Sequence, residues 1–309
     1  MIGTKEERSL FYYGLYGKRV LSELYFPQLV EVASFVEDEA DIVIRAGVIG
    51  EAIKALEGKQ YWKFGKTFSW IYNSTCWLTV ENGRVITYEL RENGEEMLLR
   101  SYLLGYGLAM LHLQRGEMPI HCSALVMDGK AILVAGDSGS GKSTTTAALL
   151  ERGFSLMADD VAVVKVEDGK VICYPAFPYQ KLCRDVVEKG NYDMNKLIYI
   201  NEQKDKFLVP YDGEFSLEGK ELHGIFILGI LKPDMELYME EITGINKLRA
   251  CANNLFMGRF MDGEQYSSFI GSRCLEIASK VKMYLIGRPD GEDTLQTRVD
   301  YILEQWKNS

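Results

Sequence analysis

The sequence lacks the cysteine and histidine patterns of metal-binding and disulfide-stabilised proteins. Its six cysteines include no CxxC pair, and it has only three histidines. Structural zinc sites need Cys and His at short, recurrent spacings, and disulfide frameworks belong to proteins of oxidising compartments. We therefore expect reduced, mostly buried thiols at Cys76, Cys122, Cys173, Cys183, Cys251 and Cys274.

Positive charge and long apolar runs are also scarce. The chain has 35 Lys and Arg against 44 Asp and Glu, a formal net charge of -9. Nucleic-acid binding needs a basic surface that neutralises phosphates, and a transmembrane helix needs about 20 consecutive apolar residues. The N-terminal segment lacks the apolar core and the small-residue cleavage site of a secretory signal. We expect a cytoplasmic protein with neither nucleic acid nor membrane as a partner; its oligomeric state stays open, a homo-oligomer included.

The pattern of apolar residues divides the chain into three parts. Residues 1–95 contain strand-like segments joined by turns such as Asn82-Gly83, where positive φ angles are readily adopted, and predict a small β-rich domain. Residues 96–118 carry apolar side chains at helical spacing and predict a linking helix. Residues 119–309 alternate short apolar strands, hairpin turns and helices, which predicts an α/β domain with a mixed sheet and flanking helices.

One segment of the third part carries a phosphate-binding motif. Residues 136–143 read GDSGSGKS and match the pattern GxxxxGK[ST] between a strand-like and a helix-like segment, as the motif requires. Its glycines let main-chain N–H groups converge on phosphate oxygens, while Lys142 reaches the β- and γ-phosphates and Ser143 binds Mg²⁺. The motif predicts ATP and Mg²⁺ as cofactors, without distinguishing ATP from GTP. The residues predicted to bind the nucleotide are Gly136, Asp137, Ser138, Gly139, Ser140, Gly141, Lys142, Ser143 and Thr144.

Two adjacent carboxylates follow the helix of this motif after a short strand. Residues 154–158 read as that strand, and Asp159 and Asp160 stand directly after it. Because helix and strand are both short, the carboxylates should face the terminal phosphate. One of them can hold Mg²⁺ while the other accepts a proton from an incoming hydroxyl. The motif and the carboxylates together predict a phosphotransferase; a solvated acidic turn is the alternative for the pair.

The arrangement of these motifs resembles the C-terminal catalytic domain of bacterial HPr kinase/phosphorylase over residues 119–165. In that family a strand with a histidine, a hairpin, the phosphate loop, a helix, an Arg-Gly turn and an Ala-Asp-Asp sequence follow one another. The resemblance implies a P-loop kinase domain of HPr kinase type, preceded by the small β-rich domain. The counterparts here are Ile120-His121, Asp128-Gly129, residues 136–143, Arg152-Gly153 and Ala158-Asp159-Asp160.

The same resemblance implies roles for individual residues. Asp159 is implied to be the general base that takes the proton of a serine hydroxyl, Asp160 a Mg²⁺ ligand, and Lys142 a catalytic cation. His121 is implied to lie near the phosphates and assist their placement. A histidine flanked by apolar residues on a strand is equally a core residue, so both interpretations of His121 stay open.

The N-terminal third resembles the HPr-kinase-like enzymes of lasso-peptide biosynthesis. The sequence YYGLYGKRV at 12–20, the pair Phe26-Pro27 and the strand-like segment DIVIR at 41–45 carry this likeness. The segment PAFPYQKL at 175–182, in the third part of the chain, also resembles those kinases. This likeness implies that the partner is a precursor peptide, or another peptide or protein, with an acceptor serine. Because Arg and Lys pair well with phosphate and carboxylate groups, the predicted substrate-binding residues are Lys181, Arg184, Arg259 and Arg273.

Three other functions stay open. A true HPr kinase/phosphorylase is one, although residues 222–228, LHGIFIL, lack the arginine that precedes the glycine in that family. A kinase of a small molecule such as free serine is another, because the site chemistry does not depend on what carries the hydroxyl. A nucleotide-binding regulator that transfers nothing is the third.

Overall fold

The chain folds into two compact units. The structure is a computed structural model, which describes residues 9–190, 192–200, 205–258 and 264–308. One unit extends to Arg115 and the other begins at Gly116. This division falls inside the segment 96–118, which the sequence analysis assigns to a linking helix.

The first unit is built on an eight-stranded sheet with the order β3-β1-β2-β4-β8-β7-β6-β5. The expected hairpin joins β7 and β8, and Asn82 and Gly83 both have positive φ, as a tight turn requires. The β-rich character expected for this part of the chain is therefore observed. The strands are β1 Phe11–Leu15, β2 Lys18–Ser22, β3 Val30–Glu31, β4 Ile42–Ala46, β5 Trp62–Lys63, β6 Phe68–Tyr72, β7 Cys76–Glu81 and β8 Val85–Leu90.

The helical segment after β8 belongs to the first unit. Besides the short α1, Glu51–Lys54, the unit contains α2, Glu96–Tyr102, and α3, Leu108–Gln114, which are joined by a π-helical turn at Leu103–Gly107. Helix α3 packs against β7 and β8, and most of its residues are buried. The helix therefore covers the sheet of its own unit and ends at Gln114, four residues before the predicted end, because Met118 already begins a strand.

The second unit contains a mixed sheet with the order β10-β9-β12-β13-β17-β19-β18. Strand β10 also pairs with β17, which closes five of the strands into a ring, and β11 pairs with β9. Strands β10, β17 and β19 run parallel and the other pairs are antiparallel, so the expected mixed α/β character is confirmed. The strands are β9 Met118–Met127, β10 Lys130–Gly136, β11 Ser155–Ala158, β12 Val161–Glu167, β13 Lys170–Tyr174, β17 Lys220–Leu231, β18 Tyr238–Ile242 and β19 Lys282–Pro289.

Among the residues of the second unit that the structure describes, a small third sheet and five helices complete the fold. The third sheet is antiparallel, with the order β14-β16-β15, and has its own core of Leu182, Val187, Phe207 and Val209. Its strands are β14 Tyr179–Cys183, β15 Ile198–Ile200 and β16 Lys206–Pro210. The helices are α4 Lys142–Glu151, α5 Arg184–Lys189, α6 Ile245–Asn253, α7 Glu264–Lys280 and α8 Leu295–Lys307; short 3₁₀ turns lie at Glu37–Glu39 and Met194–Lys196.

Helices α4 and α8 pack together over the parallel strands of the second unit. Leu149 of α4 and Ile302 of α8 are fully buried in the same core as Phe226, whose ring stacks on Tyr284 at 5.0 Å. This core anchors the strand and the helix that flank the phosphate-binding motif. None of the helices within the described residues is both long and apolar enough to cross a membrane.

Replacing Phe226 with alanine should destabilise the second unit. The ring is 1% exposed, and removing a buried phenyl group leaves a cavity that costs about 3–5 kcal/mol. Chemical denaturation followed by fluorescence measures the change in the free energy of unfolding. Leu275→Ala is the control, because that side chain is 56% exposed; equal losses for both variants would contradict the assigned core.

Candidate active site

The motif at residues 136–143 forms a tight turn between β10 and α4. Gly136 and Gly141 have φ angles of 135° and 97°, which side-chain-bearing residues rarely adopt. A Cβ on Gly136 would lie 2.3 Å from the main-chain oxygen of Leu228, and one on Gly141 would lie 2.7 Å from Nη1 of Arg298. Both positions therefore require glycine for conformation and for space. The strand, turn and helix expected from the sequence are all present.

Lys142 lies across this turn. Its Nζ donates hydrogen bonds to the main-chain oxygens of Gly136, at 2.6 Å, and Asp137, at 3.3 Å. Burial lowers the pKa of Lys142 below its usual value, while the negative charge of Asp160 acts in the opposite direction. The ammonium group is thus held where a phosphate bound by the loop would need a counter-charge.

The other residues of the motif differ in exposure. Asp137, Ser138, Gly139 and Thr144 are exposed, whereas Ser143 is half-buried in the first turn of α4. Ser140 is fully buried, and its Oγ has no hydrogen-bond partner within the described residues. Leaving a buried hydroxyl without a hydrogen bond costs free energy. The hydroxyl of Ser140 can therefore still form a hydrogen bond inside the turn.

Two arginines from the end of the chain hold the turn from outside. Arg288 of β19 donates to the main-chain oxygens of Gly139, at 2.8 Å, and Ser140, at 3.2 Å. Arg298 of α8 is 5% exposed and donates to Oγ1 of Thr145 at 3.1 Å and to the oxygen of Ser140 at 3.5 Å. With its carbonyl oxygens engaged by these arginines, the turn is free to direct N–H groups inward.

Asp159 is held by two donors. The hydroxyl of Ser123 donates to Oδ1 at 2.6 Å, and the main-chain N–H of Lys181 donates to Oδ2 at 2.8 Å. Burial raises the pKa of Asp159 above its usual value, although both hydrogen bonds act against this shift. Both carboxylate oxygens are therefore fixed, and the group takes up a proton more readily than an exposed aspartate.

Asp160 has a different environment, although it is the next residue. It adopts a φ of 79°, and its Oδ2 lies 3.5 Å from Nζ of Lys181. Burial alone would raise the pKa of Asp160, but the positive charges of Lys181 and other neighbours outweigh burial and lower it. The pKa values of the two carboxylates are thus shifted in opposite directions. The same is found in sites where one acid exchanges a proton and the other stays charged.

His121 lies between the turn and the carboxylate pair. Its Nδ1 donates to the main-chain oxygen of Asp160 at 2.9 Å, and burial lowers the pKa of the ring, which keeps it neutral near pH 7. The side chain is 38% exposed, so His121 is not enclosed in a core. The structure places it beside Asp160.

The register of the sheet brings the turn and the carboxylates to one edge. Ala135, the residue before the turn begins, is opposite Cys122 of β9. Val161, the residue after the carboxylate pair, is opposite His121 of the same strand. Since neighbouring strands lie about 4.8 Å apart, the two features flank β9 at a separation of about 10 Å.

The predicted substrate-binding residues lie in different surroundings. Lys181 is brought to the carboxylate pair by β14. Arg184 is engaged by both carboxylate oxygens of Asp205, and Arg273 of α7 pairs with Glu276 at 2.7 Å. These two arginines serve local ion pairs in this structure, and Arg259 lies outside the described residues.

Four residues of the site escaped the sequence analysis: Ser123, Lys206, Arg288 and Arg298. Ser123 follows His121 by two positions on one strand, which places both on the same face, and this spacing was an available signal. Lys206 begins β16, and its positive charge acts on the pKa of Asp159, Asp160 and Lys142. The contacts of Lys206 and the two arginines depend on tertiary packing, so no local pattern reveals them.

The residues present fit a nucleotide phosphate and its magnesium ion. The glycines of the turn have positive φ angles at the start of α4, and Lys142 supplies the counter-charge. Mg²⁺ bound to a nucleotide takes one or two carboxylates, phosphate oxygens and water, which Ser143 and Asp160 can complement. No group of three or more His, Cys, Asp or Glu side chains in the described part of the chain is arranged as a metal site, and a nucleotide-bound ion needs none.

Replacing Arg288 with glutamine should weaken nucleotide binding. The change removes two charge-assisted hydrogen bonds to the turn, so we expect the Kd for Mg²⁺-ATP to rise on the order of ten-fold. Isothermal titration calorimetry measures it. Arg152→Gln is the matched control, because Arg152 follows α4 and contacts Gln296 rather than the turn. An unchanged Kd for the Arg288 variant would show that the turn holds its shape without this residue.

Comparison with known proteins finds a distant relationship. No profile of a known protein family matches the chain. The HPr kinase/phosphorylase of Clostridium tetani (strain Massachusetts / E88) is 41% identical over 56 residues, which is 18% of this chain and 18% of that protein. The solved structure of the Hpr(Ser) kinase/phosphatase from Coxiella burnetii matches with a TM-score of 0.30 and 18% identity, over 61% of this chain and 95% of that one. The chain thus shows distant similarity to HPr kinase/phosphorylase, and the sequence match spans less than a fifth of that relative's length.

Proposed function

We propose that this protein is an ATP- and Mg²⁺-dependent kinase that transfers a phosphoryl group to the serine hydroxyl of a peptide or protein. One observation carries the proposal: the glycine turn with Lys142 and the pair Asp159 and Asp160 lie on either side of β9 at one edge of the sheet. The local sequence match to HPr kinase/phosphorylase agrees with it.

The turn and its neighbours provide the binding functions. The main-chain N–H groups of residues 137–143 and the ammonium group of Lys142 bind the phosphates, after Lys142 leaves the oxygens of Gly136 and Asp137. Ser143 and Asp160 would hold Mg²⁺, which supplies neutralisation of the phosphate charge when bound. The lowered pKa of Asp160 keeps this carboxylate ionised over the pH range in which proteins work.

Asp159 serves as the general base. Its carboxylate takes the proton of the acceptor hydroxyl, so that the hydroxyl oxygen can form its bond to phosphorus. The raised pKa of Asp159 makes it a stronger base than an exposed aspartate, and the donors Ser123 and Lys181 fix its orientation. Lys181 and Lys206 place positive charge beside the two carboxylates. This charge offsets the negative charge of the transferred phosphate.

Within this proposal, the acceptor we favour is the serine of a ribosomally made precursor peptide of the lasso type. The likeness of segments 12–20 and 175–182 to kinases of lasso-peptide biosynthesis supports it. The second candidate is an HPr kinase/phosphorylase, which the 56-residue match favours. Incubation with HPr separates the two, because only the second function yields a seryl phosphate on HPr.

Replacing Asp159 with asparagine should abolish transfer and preserve nucleotide binding. Loss of a general base typically costs 10²- to 10⁴-fold in kcat, while the turn is untouched. Phosphate transfer from ATP to serine-containing peptides gives kcat, and calorimetry gives the Kd for Mg²⁺-ATP. Asp168→Asn is the matched control, since Asp168 lies exposed in the turn between β12 and β13 with a positive φ that asparagine tolerates. Near-normal turnover of the Asp159 variant would exclude Asp159 as the base.

Replacing Ser123 with alanine should move the pH dependence of the reaction upward. The hydroxyl of Ser123 stabilises the charged form of Asp159 and so lowers its pKa. Without this bond the pKa rises further, the base is protonated over a wider range, and the acid limb of kcat/KM shifts to higher pH. A pH profile of kcat/KM measures the shift, with Ser279→Ala on α7 as the control. A limb that stays in place or moves down in pH speaks against Asp159 as the titrating base.

A further inference from the structure

A polar cleft of about 530 Å³ opens beside the glycine turn. One wall is helix α6, and the other is formed by the ends of β17, β18 and β19. Gly136 and Asp137 of the turn also line it. Most residues that line the cleft belong to neither the phosphate-binding motif nor the carboxylate pair.

Helix α6 turns its polar side toward the cleft. Asn246, Arg249, Ala250 and Asn253 line it, and their spacing of three and four residues places them on one helix face. On another face Cys251 is buried, and α6 packs against α7. Packing on α7 leaves the side of α6 with Asn246, Arg249 and Asn253 exposed along the cleft.

The cleft adjoins the candidate active site where the terminal phosphate of a bound nucleotide would lie. The two oxygens to which Lys142 donates belong to Gly136 and Asp137, both of which line the cleft. A lysine at this place of the motif reaches the β- and γ-phosphates, so the cleft opens at the transferring end of the nucleotide. On the other side, the oxygen of Asn254 accepts a hydrogen bond from the N–H of His121 at 2.8 Å, which links the cleft to the carboxylate pair.

We propose that this cleft binds the acceptor as an extended peptide segment, with the amides of Asn246 and Asn253 hydrogen-bonded to its main chain. The inference rests on the proposed kinase function and adds the place and the form in which the substrate binds. Asparagine carries one donor group and one acceptor group, as the peptide unit does, so it can pair with both main-chain groups of a ligand.

The spacing of the two asparagines favours a peptide over a free amino acid. They are seven positions apart, which corresponds to about 10.5 Å along a helix. An extended chain covers this distance in about three residues. A single amino acid is too short to contact both amides, whereas a peptide with residues on both sides of its serine can do so.

The charged groups of the cleft act on the side chains of the ligand. Arg249 lines the α6 wall and donates to Oδ1 of Asn246 at 3.4 Å. Glu240 and Glu241 line the opposite wall. A ligand with an acidic residue toward α6 and a basic residue toward β18 would pair with the charges of both walls. The opposite charges on the two sides would also fix the direction in which the ligand binds.

The test uses the full-length protein, Mg²⁺-ATP and two acceptors. One acceptor is a mixture of synthetic peptides with a single central serine and three or more varied residues on each side, and the other is free L-serine. The double variant Asn246→Ala/Asn253→Ala is compared with the matched double variant Asn195→Ala/Asn308→Ala, whose positions are exposed and do not line the cleft. Losing two hydrogen bonds should raise the KM for peptide on the order of ten-fold, with kcat and the Kd for ATP unchanged.

Each outcome decides the inference. A higher KM for peptide in the cleft variant alone supports it. An unchanged KM, or a higher Kd for ATP instead, overturns it and leaves the kinase function intact. Transfer by the wild type to free serine but not to peptides overturns both this inference and the peptide or protein acceptor of the proposed function. If the wild type binds ATP and phosphorylates neither acceptor nor HPr, the proposed function itself fails. If Arg249→Gln selectively loses peptides with an acidic residue, the direction of binding is supported as well.

Discussion

The conformation of the main chain between β10 and α4 is the constraint on which the candidate site depends. Gly136, Gly139 and Gly141 all have positive φ, and the space beside the first and last of them is occupied by neighbouring atoms. This shape brings Lys142 across the turn and exposes N–H groups at a helix N-terminus. Because α4 and α8 share a core with the parallel strands, the turn has a rigid support. The two arginines that hold its carbonyl oxygens come from that same support.

Partial burial of two adjacent carboxylates is the second constraint, and the structure meets it in two ways. Ionised groups removed from water must be paired or hydrogen-bonded. Asp159 receives neutral donors and keeps a raised pKa, whereas Asp160 receives cationic neighbours and has a lowered one. Lys181 contributes to both environments, because its main-chain N–H donates to Asp159 whereas its charged Nζ lies beside Asp160. A reaction that needs one carboxylate as a base and a second carboxylate that stays charged can use these two neighbouring residues.

The edge of the sheet unites the site with the cleft beside α6. Parallel strands such as β10, β17 and β19 present their carboxyl ends at one edge, where ligands bind in α/β proteins. Antiparallel β9 carries His121 and Ser123 to the same edge from the opposite direction. The third sheet then adds Lys181 and Lys206. The glycine turn, Asp159 and the polar cleft thus meet where elements distant in sequence come together, which is the geometry that the proposed transfer between two bound substrates requires.

Features with local causes could be predicted from the amino-acid sequence alone. These are the glycine turn, its flanking strand and helix, the Asn82-Gly83 hairpin and the carboxylate pair after β11, because neighbouring residues impose these conformations. Other features depend on long-range packing: the end of α3 at Gln114, the ion pairs of Arg184 and Arg273, and the contacts of Ser123 and Arg298 with the site. These depend on which strands pair and which helices pack, and such long-range choices are made by the whole core rather than by any local pattern.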